Sequence, residues 1–214
     1  MPGPTAADFA GRHDPDAFAA ALPRRDRASL PFDPDALPAG MAVMLDTSVY
    51  IQRLRGKLPA AVIACIDARP VLHSAVACAE LAISAGLLEP SHPGTARNRA
   101  AITTLLGTIP ATDIVAPSPA AWAEAGMIAG ILARTQYRTL PRHARAPERS
   151  VGQDGLRRRL LNDTLLFLGA RERGAILVSM DRADMSLLLR FRPDARVLLF
   201  AGGRERINPG PIPR

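Results

Sequence analysis

Short apolar runs alternate with longer amphipathic stretches along most of the chain. The short runs are bounded by turn residues, which predicts buried strands at 43–45, 71–73, 113–115, 176–179 and 196–200. The stretches between them predict helices after Thr47 or Ser48 and at 58–68, 74–85, 95–107, 119–135, 156–174 and 183–190. Strands that alternate with helices indicate an α/β fold, with a mostly parallel five-stranded sheet and helices on both faces in three α/β/α layers.

The two ends of the chain and one internal segment interrupt this pattern. The first 40 residues are rich in Pro, Asp, Arg and Ala, which predicts a poorly ordered N-terminal extension at 1–40. The domain then spans 41–201, and Met41 is an alternative start that the sequence leaves open. Prolines, glycines and arginines at 136–155 predict a basic loop insert, and the Gly- and Pro-rich segment 202–214 is predicted to be a frayed tail.

The basic, arginine-rich composition favours a polyanionic partner. The net charge is +7, and because Lys57 is the only lysine, nearly all of the positive charge is arginine, whose planar fork matches phosphate oxygens. An alanine- and arginine-rich genome explains the same composition equally well. Cys65 and Cys78 lie in apolar stretches without metal-ligand spacing, which indicates buried free thiols in a reducing compartment. No apolar run approaches the roughly 18 residues of a membrane span, and the acidic start is unlike a signal peptide, so we expect a cytoplasmic protein without membrane contact.

Two aspartates stand at the ends of predicted strands. Asp46 ends the run Ala42-Val43-Met44-Leu45, and Asp181 follows Ile176-Leu177-Val178-Ser179-Met180. Ligands of open α/β sheets collect beyond the carboxyl ends of the strands, at the point where the strand order reverses. We therefore expect both carboxylates at such a crevice.

Two further acids interrupt the apolar stripes of predicted helices. Glu80 and Asp163 have apolar neighbours at helical spacing: Val76, Ile83 and Leu87 for the first, and Leu166, Phe167 and Ala170 for the second. An unpaired buried carboxylate costs several kcal/mol, and a metal or another cation usually compensates. Carboxylates that are dispersed in sequence but converge in space are what Mg²⁺ or Mn²⁺ needs. The four acids together predict a metal site that cleaves phosphodiester bonds.

Each acid also has a purely structural interpretation. Asp46 is placed to cap the helix after its strand, and Glu80 to pair with a buried arginine. Asp163 is placed to interact favourably with the helix dipole, as an acid in an early turn of its helix. Asp181 is the least secure ligand, because it is placed to cap the next helix and Asp184 is an alternative to it. All four structural interpretations must hold at once to remove the metal site, so the set is stronger than any member.

Other catalytic motifs are absent from the sequence. It contains no phosphate-binding G-x-x-x-x-G-K-[ST], no G-x-S-x-G and no H-E-x-x-H. The four histidines, His13, His73, His92 and His143, show no pairing and are interpreted as structural or surface residues. A phosphatase of the haloacid-dehalogenase type would need a second aspartate where Ser48 stands.

These motifs resemble the PIN-domain ribonucleases, and among them the VapC-like toxins of bacterial toxin–antitoxin pairs. The resemblance covers about 41–201 and is carried by four segments: Met44-Leu45-Asp46-Thr47-Ser48-Val49-Tyr50-Ile51, Ala79-Glu80-Leu81, Asn162-Asp163 and Leu177-Val178-Ser179-Met180-Asp181. It implies that Asp46, Glu80, Asp163 and Asp181 are the catalytic and metal-binding acids, with Thr47 and Ser179 as supporting hydroxyls. Such toxins usually lack the first 40 residues and so long an insert before Asp163, and Asp184-Met185 stands where Asp-Phe is more typical.

The resemblance implies Mg²⁺ or Mn²⁺ as cofactor, RNA as substrate and a cognate antitoxin as partner, with a homodimer as one assembly. Arginines near the predicted loop are candidates to contact the RNA backbone: Arg142, Arg145, Arg149, Arg157 and Arg158, with Arg134, Arg138 and Arg159 beside them. A solvated arginine-rich loop and helix end explains any one of them equally well. Two rival functions stay open, a catalytically inactive regulatory or DNA-associated module and a metal-dependent phosphatase.

Overall fold

The computed structural model describes residues 3–137 and 146–200, apart from the side chains of Arg27 and of 146–153. Its strands are β1 (Val43–Leu45), β2 (Val71–Ser74), β3 (Ile114–Val115), β4 (Ile176–Ser179) and β5 (Arg196–Leu199). Its helices are α1 (Ala6–Ala10), α2 (Thr47–Leu54), α3 (Ala60–Asp67), α4 (Ala75–Gly86), α5 (Thr95–Gly107), α6 (Pro119–Gln136), α7 (Ala146–Glu172) and α8 (Arg182–Phe191). Within the described ranges, no helix combines the length and apolar character that a membrane span requires.

The sheet has five strands in the order β3-β2-β1-β4-β5, and every pairing is parallel. Val43, at the start of central strand β1, is in register with Val71 on one side and Ile176 on the other. The three residues of β1 point alternately to opposite faces, yet none is more than 2% exposed, so both faces of the sheet are covered. This confirms the predicted parallel α/β sheet in three layers.

Helix α7 differs from its prediction at the N-terminal end. It begins at Ala146, so the second half of the segment predicted as a loop, from Ala146 to Gly155, is helical and that part of the prediction is wrong. Pro147 falls in the first turn, where a missing backbone N–H breaks no helical hydrogen bond. The helix ends near Gly174, as predicted, and this residue has a φ of +62° that favours glycine.

The N-terminal segment packs on the domain at several points. The Leu199 backbone N–H donates to the Pro31 carbonyl over 2.8 Å, and the ring of Phe18 lies 4.9 Å from that of Phe191. Glu124 of α6, which is 2% exposed, accepts hydrogen bonds from Arg12 and from Arg192, and its carboxylate lies 3.0 Å from the His13 ring. That residues 1–40 are poorly ordered stays a prediction, and the tail at 202–214 lies outside the described residues.

Candidate metal centre

The strand order reverses between β1 and β4. The candidate site lies at the sheet edge formed by the carboxyl ends of these two strands. Strands β2 and β3 follow to one side of β1, while β4 and β5 lie to the other, which makes the crevice beyond the carboxyl ends of β1 and β4 a switch point. Asp46 directly follows β1, and Asp181 comes two residues after β4. The sheet therefore delivers both aspartates to one crevice.

Asp46 is buried and held by three donors. It is the N-cap of α2, where its Oδ1 accepts from the Ser48 backbone N–H over 3.3 Å. Its Oδ2 accepts from the Ser48 hydroxyl over 2.9 Å and from the Ser179 hydroxyl over 2.5 Å. Burial raises the pKa of Asp46, and the charge of Glu80 adds to this, while the two serines oppose it. The helix-cap role and a place in the acidic cluster therefore occur together.

Glu80 is fixed by two neutral donors from other elements. The Thr47 hydroxyl donates to Oε2 over 2.5 Å, and the Asn162 amide donates to Oε1 over 2.8 Å. Thr47 begins α2 and Asn162 lies on α7, so these two bonds tie three helices together around the carboxylate. No arginine appears among its hydrogen-bond or ion-pair partners in the described part of the chain, unlike the structural interpretation that pairs Glu80 with a buried cation.

Asp163 has a strongly perturbed carboxyl group. Its Oδ2 is buried without a hydrogen-bond partner among the described residues. Burial raises its pKa to about 8, and the charges of Asp46, Asp181 and Asp184 add to the rise, while Arg159 opposes it. A carboxyl group that is buried among other acids is stabilised by a bound cation, because the cation replaces the lost hydration and cancels the repulsion.

Asp184 joins the site beside Asp181 rather than replacing it. One carboxylate oxygen each of Asp163, Asp181 and Asp184 can be chosen so that all three lie within 4.8 Å of one another. Asp181 caps α8 by accepting from the Asp184 backbone N–H over 2.9 Å, and its own N–H bonds to the Ser179 hydroxyl over 3.0 Å. The prediction treated Asp181 and Asp184 as alternatives, whereas the geometry brings both to Asp163.

Asp184 is held by a tyrosine and an arginine that the sequence analysis did not connect with it. It is only 1% exposed, and its Oδ1 accepts from the Tyr137 hydroxyl over 2.6 Å. Arg159 Nη2 pairs with its Oδ2 over 3.0 Å and also donates to the Tyr137 oxygen over 3.3 Å. Burial raises the pKa of Asp184 and Asp181 adds to this, although Tyr137, Arg159 and Arg24 oppose it.

The donor set fits a hard divalent cation. Every candidate ligand in the crevice is a carboxylate oxygen, which is the donor type that Mg²⁺ and Mn²⁺ prefer. The unpartnered Asp163 Oδ2 is a free ligand position in a buried place. Asp46 and Glu80 are not part of the close group formed by the three aspartates, but the charge of Glu80 raises the pKa of Asp46 and that of Asp46 raises the pKa of Asp163.

The predicted RNA-contacting arginines are only partly described. Arg142 and Arg145 lie outside the described residues, as does the side chain of Arg149. Arg157 and Arg158 are exposed on α7, and Arg157 lies 3.4 Å from Asp154 one turn earlier. Arg134 donates to the Pro15 carbonyl over 2.7 Å and so contacts the N-terminal segment.

Several site residues were missed by sequence reasoning, for different reasons. Asn162 had a weak signal, because it directly precedes Asp163 on the same helix. Ser48 had another, because it stands two residues after Asp46 at a helix start, where hydroxyls often bond to the cap. Tyr137 had no signal, and Arg159 was considered only as a contact for RNA, since the contacts of both with Asp184 join residues that are far apart in the sequence.

Among the comparisons with known proteins, only the comparison with solved structures found proteins similar to this chain. The sequence matches no protein-family model, and no curated protein matches it. The chain is similar to the structure of VapBC2 from Rickettsia felis bound to a DNA fragment from their promoter, with 14% identity, a TM-score of 0.47, and 75% of this chain and 99% of that chain covered. It is also similar to FitAcB from Neisseria gonorrhoeae, with 17% identity, a TM-score of 0.46, and 73% and 96% covered.

A third similar structure is VapBC-1 from nontypeable Haemophilus influenzae, with 16% identity, a TM-score of 0.38, and 75% of this chain and 98% of that chain covered.

Proposed function

We propose that this chain is a Mg²⁺- or Mn²⁺-dependent endoribonuclease of the PIN type that acts as a VapC-like toxin. The observation that carries the proposal is the environment of Asp163. Its Oδ2 has no partner among the described residues, and its pKa is raised to about 8 by burial and by three neighbouring acids. A divalent cation is the ligand that best relieves this arrangement.

The residues of the site have distinct roles in this proposal. We assign Asp46, Glu80, Asp163 and Asp181 as the acids that hold the cation, and Asp184, whose carboxylate lies close to those of Asp163 and Asp181, is a fifth acid beside them. A bound cation would supply a water of lowered pKa and an electrostatic partner for the charge that develops on the phosphoryl oxygens.

The neutral donors set the directions of these carboxylates. Ser179 and Ser48 fix Asp46, while Thr47 and Asn162 fix Glu80, so each acid presents a defined oxygen without an internal cation. Partners of this kind orient metal ligands and hold them in their charged form.

The biological setting belongs to the proposal as well. We infer a cytoplasmic RNA substrate and a cognate antitoxin that restrains the enzyme, with a homodimer as its assembly. The arginine-rich composition supports a polyanionic substrate, because guanidinium groups bind phosphates in a bidentate way. The motifs of this chain that resemble those of VapC-like toxins support the inference of an antitoxin partner.

Cleavage of a mixed RNA pool by the wild type and by Asp46→Asn is the decisive experiment. We expect the wild type to cut RNA only with Mg²⁺ or Mn²⁺ present, and Asp46→Asn to be inactive while its circular dichroism spectrum is unchanged. Asp35→Asn is a matched control, because Asp35 is exposed in the N-terminal segment and makes the same change of charge.

Three results would contradict the proposal. An inactive wild type with bound metal would favour the regulatory module, and hydrolysis of small phosphate esters without RNA cleavage would favour the phosphatase. Equal cleavage by Asp46→Asn and wild type would mean that the catalytic metal is held elsewhere.

A further inference from the structure

A large open groove lies directly beside the acidic site. Its volume is about 760 Å³, within the range of ligand-binding pockets. It reaches the acids through two residues, Ser48, which bonds to Asp46, and Asp181. Its other polar lining residues are Gln52 from α2, Arg182 and Ser186 from α8, and Arg24 and Arg25 from the N-terminal segment.

The N-terminal segment is anchored on both sides of these two arginines. The Arg25 backbone N–H donates to the Ser186 hydroxyl of α8 over 2.8 Å, and Ser186 is only 2% exposed. Further along, the Leu199 N–H binds the Pro31 carbonyl at the outer strand of the sheet. Before them, Phe18 packs on Phe191. The wall of the groove is therefore set by backbone and apolar contacts that do not use either guanidinium group.

The charges of the groove change from acidic to basic over a short distance. The acids lie at one end, and Arg24 is close enough for its charge to oppose the rise of the Asp184 pKa. Arg24 is exposed and Arg25 is half-buried, so both are accessible from solvent. The apolar part of the lining consists of the aliphatic side chains Leu30, Ile51 and Met180 with Ala183, and no aromatic residue lines the groove among the described residues.

The arrangement of acids and arginines along the groove suits a polynucleotide better than a small phosphate ester. A nucleic acid strand continues on both sides of the bond that is cut, so its next phosphates need cations a short distance from the metal site. A small ester needs none beyond the metal. With no aromatic ring to stack a base, the groove suits the backbone and is expected to be tolerant of sequence.

We propose that this groove binds the phosphate backbone of single-stranded RNA next to the bond that is cut, with Arg24 and Arg25 of the N-terminal segment as phosphate-binding residues. The inference rests on the proposed nuclease function. It gives the segment before β1 a role in the substrate site, and Gln52 and Ser48 are polar groups along the path between those arginines and the acids.

Direct binding tests the groove separately from catalysis. A fluorescein-labelled single-stranded RNA of 12 nucleotides is titrated with the protein in EDTA, where metal-dependent cleavage is stopped, at several salt concentrations. The variant is Arg24→Gln with Arg25→Gln, which leaves the Arg25 backbone bond to Ser186 in place. We expect binding to weaken on the order of tenfold at low salt and the salt slope to fall by about 1.4, as for two lost phosphate contacts.

Three companion variants test whether the arginine side chains themselves cause the loss of binding. Arg97→Gln with Arg173→Gln removes the same charge from exposed positions that do not line the groove, and we expect it to retain most of the affinity and slope. Arg24→Lys with Arg25→Lys keeps the charge and is expected to retain most of the salt slope. Ser186→Ala removes an anchor of the segment without changing charge and should weaken binding less than the double glutamine variant.

The outcomes separate the groove from the nuclease proposal. RNA affinity and slope that are unchanged in Arg24→Gln/Arg25→Gln would overturn the groove even if the wild type cleaves RNA. Weakened RNA binding in that variant would support the groove even if no cleavage were found. Equal losses of RNA affinity and salt slope in the Arg97/Arg173 control would overturn the groove proposal, because they would show that net charge alone determines RNA binding. Unchanged RNA binding with lost binding of a protein partner would overturn it in favour of a protein-docking surface.

Discussion

At the scale of single residues, the site is a set of carboxylates that oppose one another. Asp163 is the clearest case, because its unpaired oxygen and raised pKa mean that the ionised form is costly in the absence of a cation. An ionised carboxylate at this position therefore opposes folding of the metal-free protein. Substitutions here should separate stability from activity.

Replacing Asp163 with asparagine should make the metal-free protein at least as stable while removing cleavage. The amide keeps the shape, can donate to neighbouring carboxylates and removes one of the repelling charges. In EDTA at pH 8 we expect the free energy of unfolding in urea to rise by at least about 1.4 kcal/mol, the equivalent of one pKa unit. Added Mn²⁺ should raise the Tm of the wild type but not that of Asp163→Asn.

Asp35→Asn serves as the control for this measurement and should leave both stability and metal response unchanged. A clear loss of stability in metal-free Asp163→Asn would show that its carboxylate is a structural group and not a strained ligand.

Ser179 should matter for activity out of proportion to its size. Its hydroxyl donates to Asp46 and accepts from the Asp181 N–H, so one group orients two acids. We expect Ser179→Ala to reduce RNA cleavage or metal affinity by about 10- to 100-fold, as for other groups that orient metal ligands. Ser84→Ala is the matched control, since the Ser84 hydroxyl bonds only to the Glu80 backbone carbonyl. Equal activity of Ser179→Ala and Ser84→Ala would remove Ser179 from the machinery.

At the scale of elements, one of the contacts between the N-terminal segment and the domain is centred on a buried carboxylate. Glu124 of α6 pairs with Arg192 after α8 and with Arg12 and His13 before β1. Burial would raise the pKa of Glu124, but the hydrogen bonds from Arg192, His13 and Arg12 outweigh this and lower the pKa to about 2.

The contribution of the Glu124 carboxylate to the free energy of unfolding should be lost in acid. The folded pKa lies below the ordinary value of 4.5, so the contribution of Glu124 is complete above pH 4.5 and declines as the pH falls toward 2. We expect Glu124→Gln to cost about 3 kcal/mol at pH 6, because it leaves Arg192 without its charged partner. In urea denaturation the gap between wild type and Glu124→Gln should narrow at pH 3, and a constant gap would contradict the role of the charge.

The elements also show what the sequence could and could not predict. Strands β1 and β4 were predicted with their observed bounds, because continuous apolar runs between turn residues have few alternatives. The start of α7 was missed because Pro147, Gly152 and Gly155 are typical of loops, and tertiary context overrides such preferences. The packing of Phe18 and His13 was missed because isolated apolar or aromatic residues in a proline-rich segment produce no periodicity.

The same reasoning applies to the candidate site. Asp46, Glu80, Asp163 and Asp181 could be named because an acid at a strand end or on an apolar stripe is locally anomalous. The contacts of Tyr137 and Arg159 with Asp184 could not be predicted, because neither residue is anomalous in its local sequence and the contacts depend on the tertiary fold.

At the scale of the whole molecule, the proposed toxin role should appear as inhibition of growth. Expression of the wild type in a bacterial host is expected to arrest growth, because uncontrolled RNA cleavage stops protein synthesis. Asp46→Asn should abolish the arrest at equal protein levels, whereas Asp35→Asn should preserve it. Arrest by Asp46→Asn as strong as that by wild type would separate toxicity from the acidic site.

The parallel order of the sheet has a consequence for the chain while it is being made. Val43 pairs with Ile176, so the first strand has its second neighbour only after most of the domain has been synthesised. Asp181 and Asp184 follow that late strand, and the hydroxyl of Ser179 that orients Asp46 belongs to it. A ribosome that carries an unfinished copy therefore holds separate acids and no assembled centre. Under the proposed nuclease function, cleavage can therefore begin only after the chain has been synthesised at least as far as Asp184.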